Sequence, residues 1–142
     1  MSAPHSSERS TIALIADYYD AFNRRDVDAM LALLADEVVH EPSQGQPRRG
    51  KAAFAQFLAH MNRCYREHVH EPVVLATPDG SHASAEFRLT GAYIESDEGL
   101  PAASGQAYAL RVGAFFDVDQ GLIARVSNHY NLADWIAQVE RG

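Results

Sequence analysis

Only one cysteine, Cys64, and one lysine, Lys51, occur among 142 residues, the lysine against eleven arginines. A lone thiol cannot close an internal disulfide, which suits a reducing compartment. No apolar run approaches the ~20 residues that a membrane helix needs. The first ten residues, MSAPHSSERS, have no apolar segment of the secretory kind. The expectation is a soluble, cytoplasmic protein with no membrane partner. Positive charge is also scarce: the formal net charge is −7, and Arg48, Arg49 and Lys51 form the one short basic cluster. Nucleic-acid phosphates require a basic stripe, so a nucleic-acid partner is excluded. The scattered glycines fall at turns and form neither a phosphate loop nor a dinucleotide fingerprint.

What is present is enough for a core. An apolar share of 46% and this length fit one globular domain over 1–142, with residues 1–7 expected to be flexible. Ile12, Ile15, Ala16, Tyr19 and Phe22 recur at helical spacing, which predicts an amphipathic helix over 8–24. Asp26 is placed to cap a shorter helix carrying Val27, Met30, Leu31 and Leu34. A brief strand follows over 37–41, then a loop over 42–50. Phe54, Phe57, Leu58 and Met61 mark a third helix.

The period then changes from helical to extended. Residues 68–77 read as a strand ending in the Pro78-Asp79-Gly80 turn. Residues 82–95 alternate, with Ala83, Ala85, Phe87, Leu89 and Tyr93 on one face. A polar loop over 96–105 precedes strands near 106–118 and 122–131, joined at Asp119-Gln120-Gly121 as in a hairpin. Trp135, Ile136 and Val139 close the chain on a short helix. Helices followed by an antiparallel meander make an α+β fold, with three N-terminal helices on a curved, mostly antiparallel sheet. Such a sheet, curling around the helices, leaves a cone with one open end and a mostly apolar pocket.

The order of elements and the stretches "YYDAFNRRDVDAMLALLADEVVHEP" and "GLIARVSNHYNLADW" resemble the nuclear transport factor 2-like superfamily. The resemblance runs over about residues 8 to 140 and is closest to the SnoaL-like polyketide cyclases and ketosteroid-isomerase relatives. It implies a cystatin-like α+β roll, homodimers packed through the outer face of the sheet, and chemistry without metal or cofactor. Activity is less specified, because this superfamily hosts isomerases, cyclases, hydrolases and non-catalytic binding modules.

Carried over residue by residue, the resemblance makes Tyr18, five residues before Asn23, an oxyanion-hole tyrosine. Glu41, before Pro42, matches the general-base aspartate of the isomerases if one residue of gap is allowed. The protonated aspartate that completes their oxyanion hole falls at Gly113, a departure from the pattern. Epoxide-hydrolase relatives carry Arg-x-Asp on one strand and Asp on the next; Arg111-Val112-Gly113 keeps only the arginine, and Asn128 stands where the second acid would be.

Glu41 thus has two readings: a base moving a proton alpha to a carbonyl, or a solvated strand end. Tyr18 sits beside the apolar face of its helix, where its hydroxyl reaches either a cavity or water. Arg111 meets an anion in the pocket or lies harmlessly on the other face. Asn128 and Tyr130 share one face of the last strand and are assigned to substrate orientation, with Phe57 and Phe87 as apolar wall. If Glu41 faces the cone, its neighbour His40 faces out. The seven histidines, including His68 and His70, complete no recognisable metal-ligand set. The expected function is a cofactor-free isomerase- or cyclase-like enzyme acting on a small apolar carbonyl compound, with Glu41 as the base and Tyr18, Asn128 and Arg111 orienting the oxygen. The alternatives are a non-catalytic ligand-binding or dimerisation module, and epoxide hydration.

Overall fold

The computed structural model describes residues 7–142. The expected flexible segment lies outside the described residues except for Ser7, which caps the first helix by accepting from Ser10 N–H at 3.1 Å. Among the described residues, four helices and six strands follow in the order α1 (Glu8–Arg24), α2 (Val27–Ala32), β1 (Leu34–Glu41), β2 (Arg48–Arg49), α3 (Lys51–Cys64), β3 (Tyr65–Ala76), β4 (His82–Tyr93), β5 (Gln106–Asp119), β6 (Leu122–His129) and α4 (Leu132–Arg141). The strands form one sheet in the order β2-β1-β6-β5-β4-β3. All pairings are antiparallel except β1 with β6. The α+β roll expected from the sequence is the fold observed.

Differences from expectation lie at element edges. Leu34 belongs to β1 and not to the second helix, which ends two residues earlier. The loop after Glu41 returns as β2, a two-residue strand beside Val39 and His40. β3 begins at Tyr65, three residues before the expected start, and β6 stops at His129.

The Asn23-Arg-Arg-Asp26 break has a double role. Arg25 adopts the left-handed conformation that ends α1 (φ 57°), and Asp26 caps α2 through Ala29 N–H at 3.0 Å. Asn23 turns its amide on β3, accepting from Val69 N–H at 2.8 Å and donating to Val69 C=O at 2.9 Å. It stands in for a neighbouring strand at the sheet edge. Gln138 of α4 does the same for Ala109 of β5, at 2.9 and 2.8 Å, where β6 has ended.

A one-residue bulge between His70 and Val73, with Glu71 at φ 45° ahead of Pro72, bends β3. The concave face carries the core: Phe87 and Leu89 of β4, Leu110, Val112 and Phe116 of β5, and Ile123 and Val126 of β6 are all buried. Tyr18 and Tyr19 of α1 pack on this face, 5.9 Å from Phe116 and 4.9 Å from Phe87 between ring centres. At the other end, Trp135 of α4 seals Tyr65, Tyr93 and Tyr108 with edge-on contacts at 4.9–6.0 Å. Among the described residues, no helix is long and apolar enough to cross a membrane.

Candidate functional site

Between the concave face and the helices lies a cavity of ≈ 740 Å³. This is the size of an ordinary small-ligand site. Phe54, Phe57, Leu58, Phe87, Leu110 and Val112 give it apolar walls, and a few polar groups interrupt them.

His40 is the first of those groups. In β1 the consecutive pairings Val39 with Arg125, His40 with Val126 and Glu41 with Ser127 run without a break. Side chains therefore alternate strictly, and burial of Val38 sends His40 inward with it. The imidazole lies between Phe54 and Phe57, with ring centres at 4.9 and 4.4 Å. It is 1% exposed, and neither ring nitrogen has a hydrogen-bond partner. Burial, helped by the Arg48 guanidinium, lowers its pKa to about 4. At neutral pH the ring is an uncharged imidazole with one nitrogen free to accept, on the wall of the cavity.

The same alternation corrects the placement of Glu41. It points to the convex face, where Arg125 Nη1 donates to its Oε1 at 3.1 Å and also binds Asp117. A base position inferred with a one-residue gap cannot hold where Val39, His40 and Glu41 pair consecutively, because one residue of slip reverses the face. Arg111 is corrected for the same reason. Its neighbours Leu110 and Val112 take the concave face, so Arg111 stands on the convex one, 75% exposed and 3.6 Å from Glu86.

Tyr18, Asn128, Tyr130, Phe57 and Phe87 all line the cavity. The Tyr18 ring is buried, which raises its pKa, and its hydroxyl makes no hydrogen bond among the described residues. Tyr19, expected in the core, shares the wall.

Two further polar groups on the wall, Glu67 and Asp97, are absent from the sequence-based site. Glu67 of β3 lines the cavity and accepts from the Tyr108 hydroxyl at 2.6 Å. Asp97, in the loop between β4 and β5, accepts from the Tyr65 hydroxyl at 2.7 Å and pairs with His60 Nε2 at 2.9 Å. That clasp holds the loop against α3 at the cavity wall. His60, Cys64 and Asp97 bring potential ligand atoms within 4.8 Å of one another. Arg63 donates to His60 Nδ1 at 3.1 Å, so this cluster is already tied up in protein contacts.

The signal for Glu67 was the alternation Tyr65, Glu67, Val69, hidden by starting the strand at residue 68. The signal for His40 was its two-residue spacing from Val38.

The comparisons with known proteins agree with this architecture. The SnoaL-like domain family matches residues 15–126. No curated protein sequence matches the chain. Among solved structures, a candidate polyketide cyclase from Xanthomonas campestris is 52% identical, with a TM-score of 0.90, and the match covers 93% of this chain and 98% of that one. A second, from Silicibacter, is 48% identical with a TM-score of 0.90, over 94% of this chain and 97% of that one. An epoxide hydrolase of the limonene type from M. tuberculosis shares the fold at 20% identity and a TM-score of 0.71, over 95% and 92% of the two chains. With the family matched over most of the length and the curved sheet, helices and cavity in place, the chain belongs to the SnoaL-like family.

Proposed function

We propose that the protein is an isomerase- or cyclase-type enzyme that moves a proton on a small apolar carbonyl compound, with His40 as the base. The observation that carries this reading is the His40 ring: buried, uncharged, without a partner, and on the wall of a ligand-sized cavity. A buried nitrogen left without a partner is costly unless a ligand supplies one. A base with a pKa near 4 is weak in water, yet it suits proton abstraction in an apolar site. Ketosteroid isomerases work with a base of pKa about 4.6. His40 would take a proton from the carbon alpha to the carbonyl, and the C–H electron pair would move toward the oxygen. Tyr18 and Asn128 would orient that oxygen.

Small enones screened for turnover test the reading, with His40→Gln and Glu41→Gln compared. Loss of roughly 10²–10⁴-fold in the first and near-native turnover in the second are expected. Unchanged turnover in His40→Gln would remove the base.

The second reading, a ligand-binding module without catalysis, is favoured by the missing carboxylates at Gly113 and Asn128. It predicts tight binding with no turnover of any enone in the screen. Epoxide hydration loses its support with Arg111 outside the cavity.

The expected homodimer is part of the proposal. Val73, Leu75 and Phe115 are 59%, 63% and 49% exposed on the convex face. Beside them stand Glu86, Arg88 and Arg111, with Arg88 paired across the strands with Arg111 and Arg111 3.6 Å from Glu86, charges that a second copy would complement.

A further inference from the structure

We propose that Glu67 is the proton donor of this cavity, aimed into it by Tyr108 across a notch left by Gly91. The three residues form one row of the sheet: Glu67 of β3 is paired with Gly91 of β4, and Gly91 with Tyr108 of β5. The Tyr108 phenol lies flat over the middle strand to reach the carboxyl two strands away, at 2.6 Å. A Cβ at Gly91 would sit 2.5 Å from the Tyr108 hydroxyl, so only glycine allows the crossing. Glycine weakens a strand interior, and here the close approach accounts for it. Trp135, with its ring centre 5.8 Å from that of Tyr108, packs on the phenol.

Tyr108 is absent from the cavity wall, whereas Glu67 is part of it. Tyr108 is therefore a positioning residue. It holds Oε2, while Oε1 has no hydrogen-bond partner among the described residues, on a side chain that lines the cavity. The charged and titratable groups facing Glu67 are Arg25 from the end of α1, Tyr108 from β5 and Tyr130 after β6. Burial raises the Glu67 pKa, and the Tyr108 hydrogen bond and Arg25 hold it back. Burial thus acts on both walls in the same sense, disfavouring the charged imidazolium of His40 and the charged carboxylate of Glu67. An acid and a base so separated by their surroundings divide the two roles of a proton shift.

The step rests on the reading of His40 given above. The C–H bond alpha to the carbonyl breaks and its proton goes to His40, while the electron pair moves onto the carbonyl oxygen. The Glu67 O–H bond breaks in turn, and its proton passes to that oxygen. An enol, a carboxylate and an imidazolium result. In the return step the imidazolium gives its proton to the far carbon, and the enol O–H proton goes back to Glu67. The double bond has moved, and no other reactant is consumed.

Infrared difference titration of the whole protein reads the Glu67 proton without any substrate. A protonated-carboxyl C=O band is expected, titrating above the ordinary glutamate value of 4.5 and missing in Glu67→Gln. Tyr108→Phe and Gly91→Ala should both move the midpoint further up, because each removes the hydrogen bond that favours the carboxylate. Should Gly91→Ala fail to fold, Tyr108→Phe alone carries this arm. In the enone screen Glu67→Gln should lower kcat by roughly 10²-fold. No such band, a midpoint indifferent to Tyr108→Phe, or full turnover in Glu67→Gln would each overturn the assignment. Full turnover in His40→Gln with the band behaving as expected would instead overturn the reading of His40 and leave the placement of the Glu67 proton supported.

Discussion

Arg125 Nη1 donates to Glu41 Oε1 at 3.1 Å on the convex face of the sheet, one residue along from His40 on the concave face. Arg125 also grips Asp117 with two nitrogens, at 2.9 and 3.2 Å. The carboxylate thus ties β1 to β6 from outside, and the adjacent imidazole faces the ligand space. Adjacent strand residues cannot share a site, so substitutions at the two positions separate structure from chemistry.

Glu41→Gln should cost at most about 1 kcal/mol in urea unfolding, as half-exposed ion pairs usually do, and leave enone turnover near native. A loss of turnover as large as that of His40→Gln would place Glu41 in the chemistry after all.

Stability should depend on pH through His40. The unfolded chain binds this proton below about pH 6.5, and the folded chain only below about 4. Across that window the unfolded state holds more protons, so stability is complete above 6.5 and declines as pH falls toward 4. The loss should reach up to about 3 kcal/mol. His40→Leu, which has no proton to bind, should flatten this part of the stability curve in denaturant titrations at stepped pH. An unchanged slope would mean that the ring already protonates in the folded protein.

Asn23→Ala should destabilise by about 1–3 kcal/mol, because Val69 would be left with both backbone groups unpaired at the sheet edge. Hydrogen exchange at the Val69 amide should accelerate, and ligand binding in the cavity should change little. Protection retained at Val69 would show that water replaces the amide without loss.

Phe115→Asp should shift the assembly state if two copies meet on the convex face. A dimer in wild type and a monomer in the variant, by sedimentation or light scattering, are the expected results. Phe115 contacts the His129 ring at 5.6 Å but no core residue's ring, so the fold should survive the change. A wild-type protein that sediments as a monomer at high concentration would remove the interface.

Much of the fold could be read in the order of residues. Helical spacing around Ile15 and Tyr19, and alternation from Ala83 to Leu89, reappear as α1 and as the concave face of β4. The site was legible where alternation was anchored by many apolar neighbours, as at Phe87. It was misread where one residue of register decided the direction, as at Glu41 and Arg111.

By itself, then, the sequence determined the elements, their order and the family's shape, because periodicity and capping are local properties of neighbouring residues. Only the tertiary structure decided which polar groups meet the ligand space. His40 faces inward because β1 pairs with β6 in unbroken register from Val39 to Glu41. Glu67 meets Tyr108 because a glycine on the intervening strand lets a phenol cross it. Both depend on registers between strands far apart in the chain, which no local pattern carries.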